Sequence, residues 1–195
     1  MITKQQAAKL IKLARDAIVA HFARKNVKIY SELRTEFSER MGVFVTLTKD
    51  GVLRGCIGYV DAPRPLYEGV VSAALNAAFS DPRFPQLEKS ELAKITIEIS
   101  ILSKPRIVEV RNPGEYLKKI NIGKDGLLVR GTFGSGLLLP QVAVDHNWDP
   151  KTFLEQTCIK AGLPADNWLD FTNCTVLKFQ GQVFAESGSE IVQRL

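Results

Sequence analysis

Within six residues, Leu53-Arg54-Gly55-Cys56-Ile57-Gly58 combines a cation, a thiol and two glycines, and this is where chemistry is densest in the chain. In a regular strand Arg54, Cys56 and Gly58 share one face, because successive side chains alternate. Such a face offers a guanidinium, a sulfur and uncovered backbone N–H groups, which suits a small anion such as phosphate or carboxylate. The same residues also admit a structural reading, in which the glycines let a following helix pack close while Arg54 pairs with an acid. A second charged cluster, Ser80-Asp81-Pro82-Arg83-Phe84-Pro85, is too rich in proline to be helical. Asp81 reads either as a general base or as a turn residue accepting backbone hydrogen bonds. Arg83 reads as an anion ligand or as half of an ion pair. Cys56 and Asp81 are therefore the candidate catalytic groups, and Arg54, Gly55, Cys56, Gly58 and Arg83 the candidate ligand contacts. A thiol among arginines and N–H groups is biased toward thiolate. Its usual helper is not evident, since His21 and His146 both stand in helical patterns outside any Cys/His motif.

The elements that must hold these residues are legible from periodicity. Leu10, Leu13, Ala14, Ala17 and Ile18 recur at helical spacing, so residues 4–23 read as an amphipathic helix. A shorter helix follows Ser31, with Leu33 and Phe37 turned inward. From Met41 the period becomes two, and Asp50-Gly51 provides the positive φ angles of a tight hairpin turn, so residues 52–59 return as the partner strand. Leu66 to Phe79 reads as a helix with a small-residue face, and Ile95 to Ile101 as a half-buried strand. Beyond residue 104 a short strand over 107–110 and a helix over 115–120 lead to Lys124-Asp125-Gly126, expected to be another turn, followed by strands over 127–130 and 137–139. Helices are expected over 140–146 and over 150–160, the latter capped by Asp149 and stopped by Gly162. An extended stretch over 172–184 precedes a loose tail. The two Lys-Asp-Gly…Arg-Gly segments differ by one residue in spacing, which would reverse the face of the second arginine, and they read as independent hairpins.

Composition narrows the function classes. The 195 residues are 45% hydrophobic and 24% charged, the profile of a globular protein. The three cysteines are far apart and show no metal-ligand spacing, so no metal and no disulfide framework is expected. Apolar runs are too short for a membrane helix, and Lys9, Lys12 and Arg15 interrupt any signal-like segment, so a cytoplasmic protein without membrane attachment is expected. Residues 1–40 hold nine Lys/Arg against four Asp/Glu, and the remainder seventeen of each, so the excess charge lies at one end. That segment leaves a nucleic-acid-binding reading open, although a solvated helix face is commoner.

The hexapeptide Leu53 to Gly58 resembles the signature of the AMMECR family, the domain named after the Alport syndrome, midface hypoplasia and elliptocytosis chromosomal region. Asp81 to Pro85, Gly136-Leu137-Leu138-Leu139-Pro140-Gln141, Trp148-Asp149, Phe153-Leu154 and Lys160 to Leu163 agree in order and spacing. The resemblance covers roughly residues 5 to 186. It implies an α+β fold of two unequal subdomains, each a mainly antiparallel sheet layered against helices. Residues 1–40 with 104–195 would form the larger and 41–103 the smaller. It also adds Ser135 and Gly136, from the Gly134-Ser135-Gly136 segment, to the ligand contacts, with the site expected in a cleft between the subdomains. The family supplies no established reaction and no cofactor, and enzyme or non-enzyme stays open. Its prokaryotic members are associated with Memo-like and radical S-adenosylmethionine proteins, so three readings stand: a small anionic or nucleotide-like ligand in the cleft, an adaptor for such a protein partner, and a nucleic-acid-binding regulator.

Overall fold

The computed structural model describes residues 2–188 and 190–194 and divides into two compact units, residues 2–102 with 182–194 and residues 103–181. The fold is α+β, and its strand pairings are antiparallel. The division differs from the one expected, because residues 1–40 go with the hairpin and not with the C-terminal half. The reason is packing. Helix α1 (Lys4–Phe22) is capped by Thr3 and Gln6 in a reciprocal box, and it sets Ala7, Leu10, Ile11, Ala14 and Ile18 against α3 (Leu66–Phe79) and β3 (Ile95–Leu102). Periodicity identifies the face that must be buried but not what buries it.

In the first unit β1 (Gly42–Lys49) is flanked by β2 (Val52–Tyr59) and β3, while the last residues of β7 (Cys174–Ser187) pair with β8 (Glu190–Gln193). Residues 190–193 of the tail expected to be loose thus form a strand, and residues 189 and 195 lie outside the described residues. Asp50 and Gly51 turn the hairpin with φ of 52° and 80°, as their types require. Val43, Val45, Leu47, Ile97 and Ile99 form one face of the sheet, all fully or nearly fully buried under α1 and α3. Strand β2 is the edge. Helix α2 (Ser31–Glu36) starts one residue earlier than a Ser31 cap would place it, and Phe37 just beyond it is buried.

In the second unit β5 (Asp125–Gly131) lies between β6 (Ser135–Leu138) and the first half of β7, and β4 (Arg106–Ile107) pairs with β7 on its other side. Helices α4 (Tyr116–Lys119), α5 (Pro140–Asp145) and α6 (Pro150–Lys160) cover it, with Phe153, Leu154, Leu127 and Val129 at the centre of the core. Asp149 caps α6 through the Thr152 N–H, and Gly162 ends it with φ of 76°. Asp125-Gly126 is not a turn. The chain reverses at residues 121–124, and Gly126 sits in β5, where a β-carbon would come within 2.3 Å of the Phe179 ring. The two Lys-Asp-Gly segments therefore do different jobs: the first turns a hairpin, and the second, expected to turn another, opens a strand.

Strand β2 carries the fold's main irregularity. Leu47 pairs with Gly55 but Thr48 pairs with Leu53, which leaves Arg54 as the extra residue of a β-bulge. A one-residue slip exchanges faces. Below the bulge Gly55 and Ile57 therefore turn toward the helices, while Cys56 and Gly58 turn away. Gly55 is where α3 comes closest: a β-carbon there would lie 2.1 Å from the Ala77 carbonyl oxygen. Gly55→Ala should accordingly lower stability by at least ~1–3 kcal/mol, the usual cost of overpacking. Urea unfolding measures it, and an unchanged midpoint would mean that α3 does not need this contact.

Candidate functional site

The sequence-predicted residues Arg54, Gly55, Cys56, Gly58, Asp81 and Arg83 all belong to the first unit, gathered along the β2 edge, whereas Ser135 and Gly136 belong to the second. Ser135 pairs with Arg130 in β6, and Gly136 lets that strand approach the end of α6, since a β-carbon would lie 2.4 Å from the Ala161 nitrogen. Gly136 thus has a packing role in its own unit, while Ser135 is exposed at the start of β6.

An edge strand offers N–H and C=O groups to nothing. Here the segment following α3 closes it with side chains. The Asp81 carboxylate accepts from the Cys56 N–H at 2.8 Å, and the Arg83 guanidinium donates to the Cys56 carbonyl oxygen at 3.0 Å. Arg83 also grips Asp81 through Nε at 2.9 Å and Nη2 at 2.7 Å, and its own N–H donates to Asp81 at 3.1 Å. The anion receptor expected from a cation beside a strand N–H therefore exists, and Asp81 occupies it. The Arg83 guanidinium, together with the Cys56 and Arg83 N–H groups, holds the Asp81 carboxyl well below the usual carboxylate range against the opposing effect of burial. Such a carboxylate is a poor base, which favours its structural role.

Arg54 is occupied in the same way. Its guanidinium meets Glu91 at 3.1 and 2.9 Å and donates to the carbonyl oxygens of Pro85 at 2.8 Å and Gln86 at 3.2 Å. Lys49 adds a third cationic contact to Glu91 at 2.9 Å, and the Glu88 N–H donates to it at 2.9 Å. Arg54 and then the Glu88 N–H and Lys49 lower the Glu91 carboxyl to about 2, overriding burial. The structure thus brings both arginines to one edge, but each is closed by its own carboxylate. They differ in exposure: the Arg54 side chain is 13% exposed and that of Arg83 is 53% exposed, with Nη1 of Arg83 making no hydrogen bond among the described residues.

On the sheet face turned away from α1 and α3, register lines up Cys56, Thr46 and Glu98 across β2, β1 and β3. The Thr46 hydroxyl donates to the Cys56 sulfur at 3.2 Å. Glu98 pairs with Arg194 at 2.9 Å, yet burial raises its carboxyl above the ordinary value. Gly58 leaves room for the Phe44 ring beside this row, since a β-carbon would fall 2.4 Å from it. Thr46 and Glu98 escape a reading of the sequence because an unbulged hairpin would set Thr46 opposite Gly55 and turn Cys56 toward the core. The bulge at Arg54 reverses both. A thiol, a hydroxyl and a carboxyl in a row can bind a polar ligand, and no group of three or more His, Cys, Asp or Glu placed to hold a metal occurs among the described residues.

The other cysteines, Cys158 and Cys174, are buried in the core of the second unit. Three basic groups of α1 are paired: Lys9 with Glu36 at 2.7 Å, Lys12 with Asp16 at 2.6 Å and Arg15 with Glu186 at 2.5 Å.

These features define an α+β protein whose glycine-punctuated edge strand is closed by an Asp-Pro-Arg segment. The family model for AMMECR1 matches residues 11–184, and the chain belongs to that family. It is 44% identical over 188 residues to a protein of Methanothermobacter thermautotrophicus, covering 96% of this chain and 97% of the relative. It is 46% identical to a Methanopyrus kandleri protein, covering 97% and 92%. The crystal structure of the uncharacterized protein PH0010 from Pyrococcus horikoshii is similar throughout, with a TM-score of 0.89 and 40% identity over 99% of this chain and 98% of that one. None of the described helices is long and apolar enough to cross a membrane.

The acid pairs give a pH dependence of defined sign. Carboxyl groups depressed in the folded state stabilise it above their unfolded values near ~4, and that stability is lost as pH falls through the folded values. The melting temperature should fall as pH is lowered from ~4.5 toward 2. Glu91→Gln should melt lower at neutral pH and lose less over this window, and an acid profile parallel to the wild type would contradict the assignment.

Proposed function

We propose that the Cys56 face of the first unit, with Arg83 at its rim, binds a small anionic or nucleotide-like ligand. The observation that carries this reading is that Arg83 keeps a half-exposed guanidinium edge free beside an outward-facing thiol. An exposed guanidinium edge recognises carboxylate or phosphate by paired, charge-assisted hydrogen bonds. Cys56, Thr46 and Glu98 then supply polar contacts that carry no packing duty toward the helices. Arg54 supports the site by holding residues 85–91 against β2, and does not meet the ligand itself. Asp81 plays the same supporting part for Arg83. No chemical step is assigned, so the reading is of a binding protein with a thiol in reach of its ligand.

A second reading has its own observation. Phe133, between β5 and β6, is 96% exposed. A lone exposed aromatic is ordinary on a protein surface, so it marks only where an adaptor would dock, and for this family the candidate partners are Memo-like or radical S-adenosylmethionine proteins.

A thermal-shift screen against anionic metabolites and nucleotides separates the two. A ligand at 100 times its Kd adds ~2.7 kcal/mol of stability. Arg83→Ala and Cys56→Ser should each reduce the shift that the wild type shows. If nothing in a broad panel raises the wild-type melting temperature, the ligand reading fails and the adaptor reading takes its place. Arg54→Ala is not a suitable probe, because it strips Glu91 of its main partner.

A further inference from the structure

A pocket of about 320 Å³ opens in the second unit between β4, α4 and β7, a volume at the small end of the range for metabolite sites. Lys118, Lys119 and Lys178 line it, with Glu109 and Asn121 beside them and Ile107 and Val108 as an apolar wall. We infer that this pocket is a binding site for a phosphate-bearing small molecule, distinct from the Cys56 face.

The argument rests on how the lysines are held. The Lys119 ammonium donates to the Glu109 carbonyl oxygen at 2.5 Å, and the Lys178 ammonium donates to the Lys119 carbonyl oxygen at 2.7 Å. A carbonyl fixes an ammonium in place without cancelling its charge, and each ammonium has three N–H groups, so donors remain for a ligand. Charge partners are unevenly placed. Lys178 is offset by Asp125 at 3.0 Å, and Lys118 makes no ion pair among the described residues. Glu115 pairs with Lys119 at 3.8 Å, the long end of the ion-pair range, while its oxygens also accept from the Arg111 N–H and the Asn112 amide, each at 3.1 Å. The lining itself thus carries three lysines against one carboxylate, Glu109, with Glu115 and Asp125 answering Lys119 and Lys178 from outside it and Lys118 left as the ammonium without an ion pair among the described residues.

Phosphate is favoured over a lone carboxylate because three ammonium groups from two elements present point charges at several angles, which suits a tetrahedral, multiply charged anion more than a planar one. Ile107 is 63% exposed at the pocket wall, where it gives an apolar or flat body something to lie on. The ligand class is then a phosphate or pyrophosphate group carrying an organic moiety, as in a nucleotide.

Isothermal titration of the whole protein with inorganic pyrophosphate and, separately, with ATP tests this. Lys118→Gln and Lys119→Gln combined keep most of each stem and remove both charges, while Lys178 is left alone because Asp125 depends on it. We expect binding of at least one probe that weakens tenfold or more in the double variant and falls as salt rises, with melting temperature and circular dichroism unchanged. Binding of pyrophosphate alone would place recognition in the phosphates, and tighter binding of ATP would bring in the Ile107 wall. Either outcome supports the site. Absence of binding by both probes at millimolar concentration, or binding that survives the double substitution, overturns it.

Discussion

The Asp81 carboxylate is the contact on which the first unit's irregular half depends. It is almost wholly buried, and a buried charge is tolerated only when its lone pairs are filled by good donors. Two backbone N–H groups and a two-pronged guanidinium fill them. One of those N–H groups belongs to the edge strand, so satisfying the carboxylate and closing the edge are a single event. Once Asp81 is docked, the chain after α3 must run beside β2, and this delivers the Pro85 and Gln86 carbonyls and Glu91 to Arg54. Removing Asp81 would leave the Cys56 N–H open, free Arg83, and loosen the segment that holds Arg54.

That arrangement divides the hexapeptide by role. Gly55 admits α3, Gly58 admits the Phe44 ring, and Arg54 is the bulged residue that reaches Glu91. Cys56 alone has two lives, since its backbone is held by the Asp-Pro-Arg segment while its side chain faces outward beside Thr46. A cation, glycines and N–H groups in one strand do make an anion receptor, as their chemistry requires. The anion is the protein's own. What remains for an external ligand is the outer edge of Arg83 and the partly exposed row of polar side chains on the face turned away from the helices.

How far this was legible follows from the range of each interaction. The Asp50-Gly51 turn, α3 from Leu66 to Phe79 and the Asp149 cap of α6 were all readable, because turns, caps and helical faces are decided within a few residues. Lys124-Asp125-Gly126 carries the same local signal as the first hairpin yet lies in a strand start, where close packing against Phe179 outweighs turn preference. The helix α1 showed its apolar face but not its partner, which is why the chain divides differently from the expected boundaries. The carboxylates that answer Arg54 and Cys56 lie 37 and 25 residues away, beyond any pattern a sequence displays. The bulge was half visible. Two glycines signalled an irregular strand, but which residue is extruded decides the side on which Cys56 emerges, and that depends on α3 fitting against Gly55.

A cation held by a carboxylate differs electrostatically from one held by a carbonyl, and this difference separates the two regions. Around β2 the cations meet full negative charges at close range, and the acids answer by dropping far below their usual pKa. Nearly all the field of Arg54 is cancelled there, which stabilises the fold and leaves little to attract a ligand. In the β4–α4–β7 pocket two of the ammonium groups are positioned by peptide oxygens, whose dipoles supply geometry but no net charge. Asp125 and Glu115 answer Lys178 and Lys119 there, so the ammonium that keeps its field without an ion pair among the described residues is that of Lys118. Internal neutralisation therefore makes the dense chemistry of the edge strand mainly architectural, while the less conspicuous lysine pocket keeps one ammonium, that of Lys118, without a carboxylate partner among the described residues.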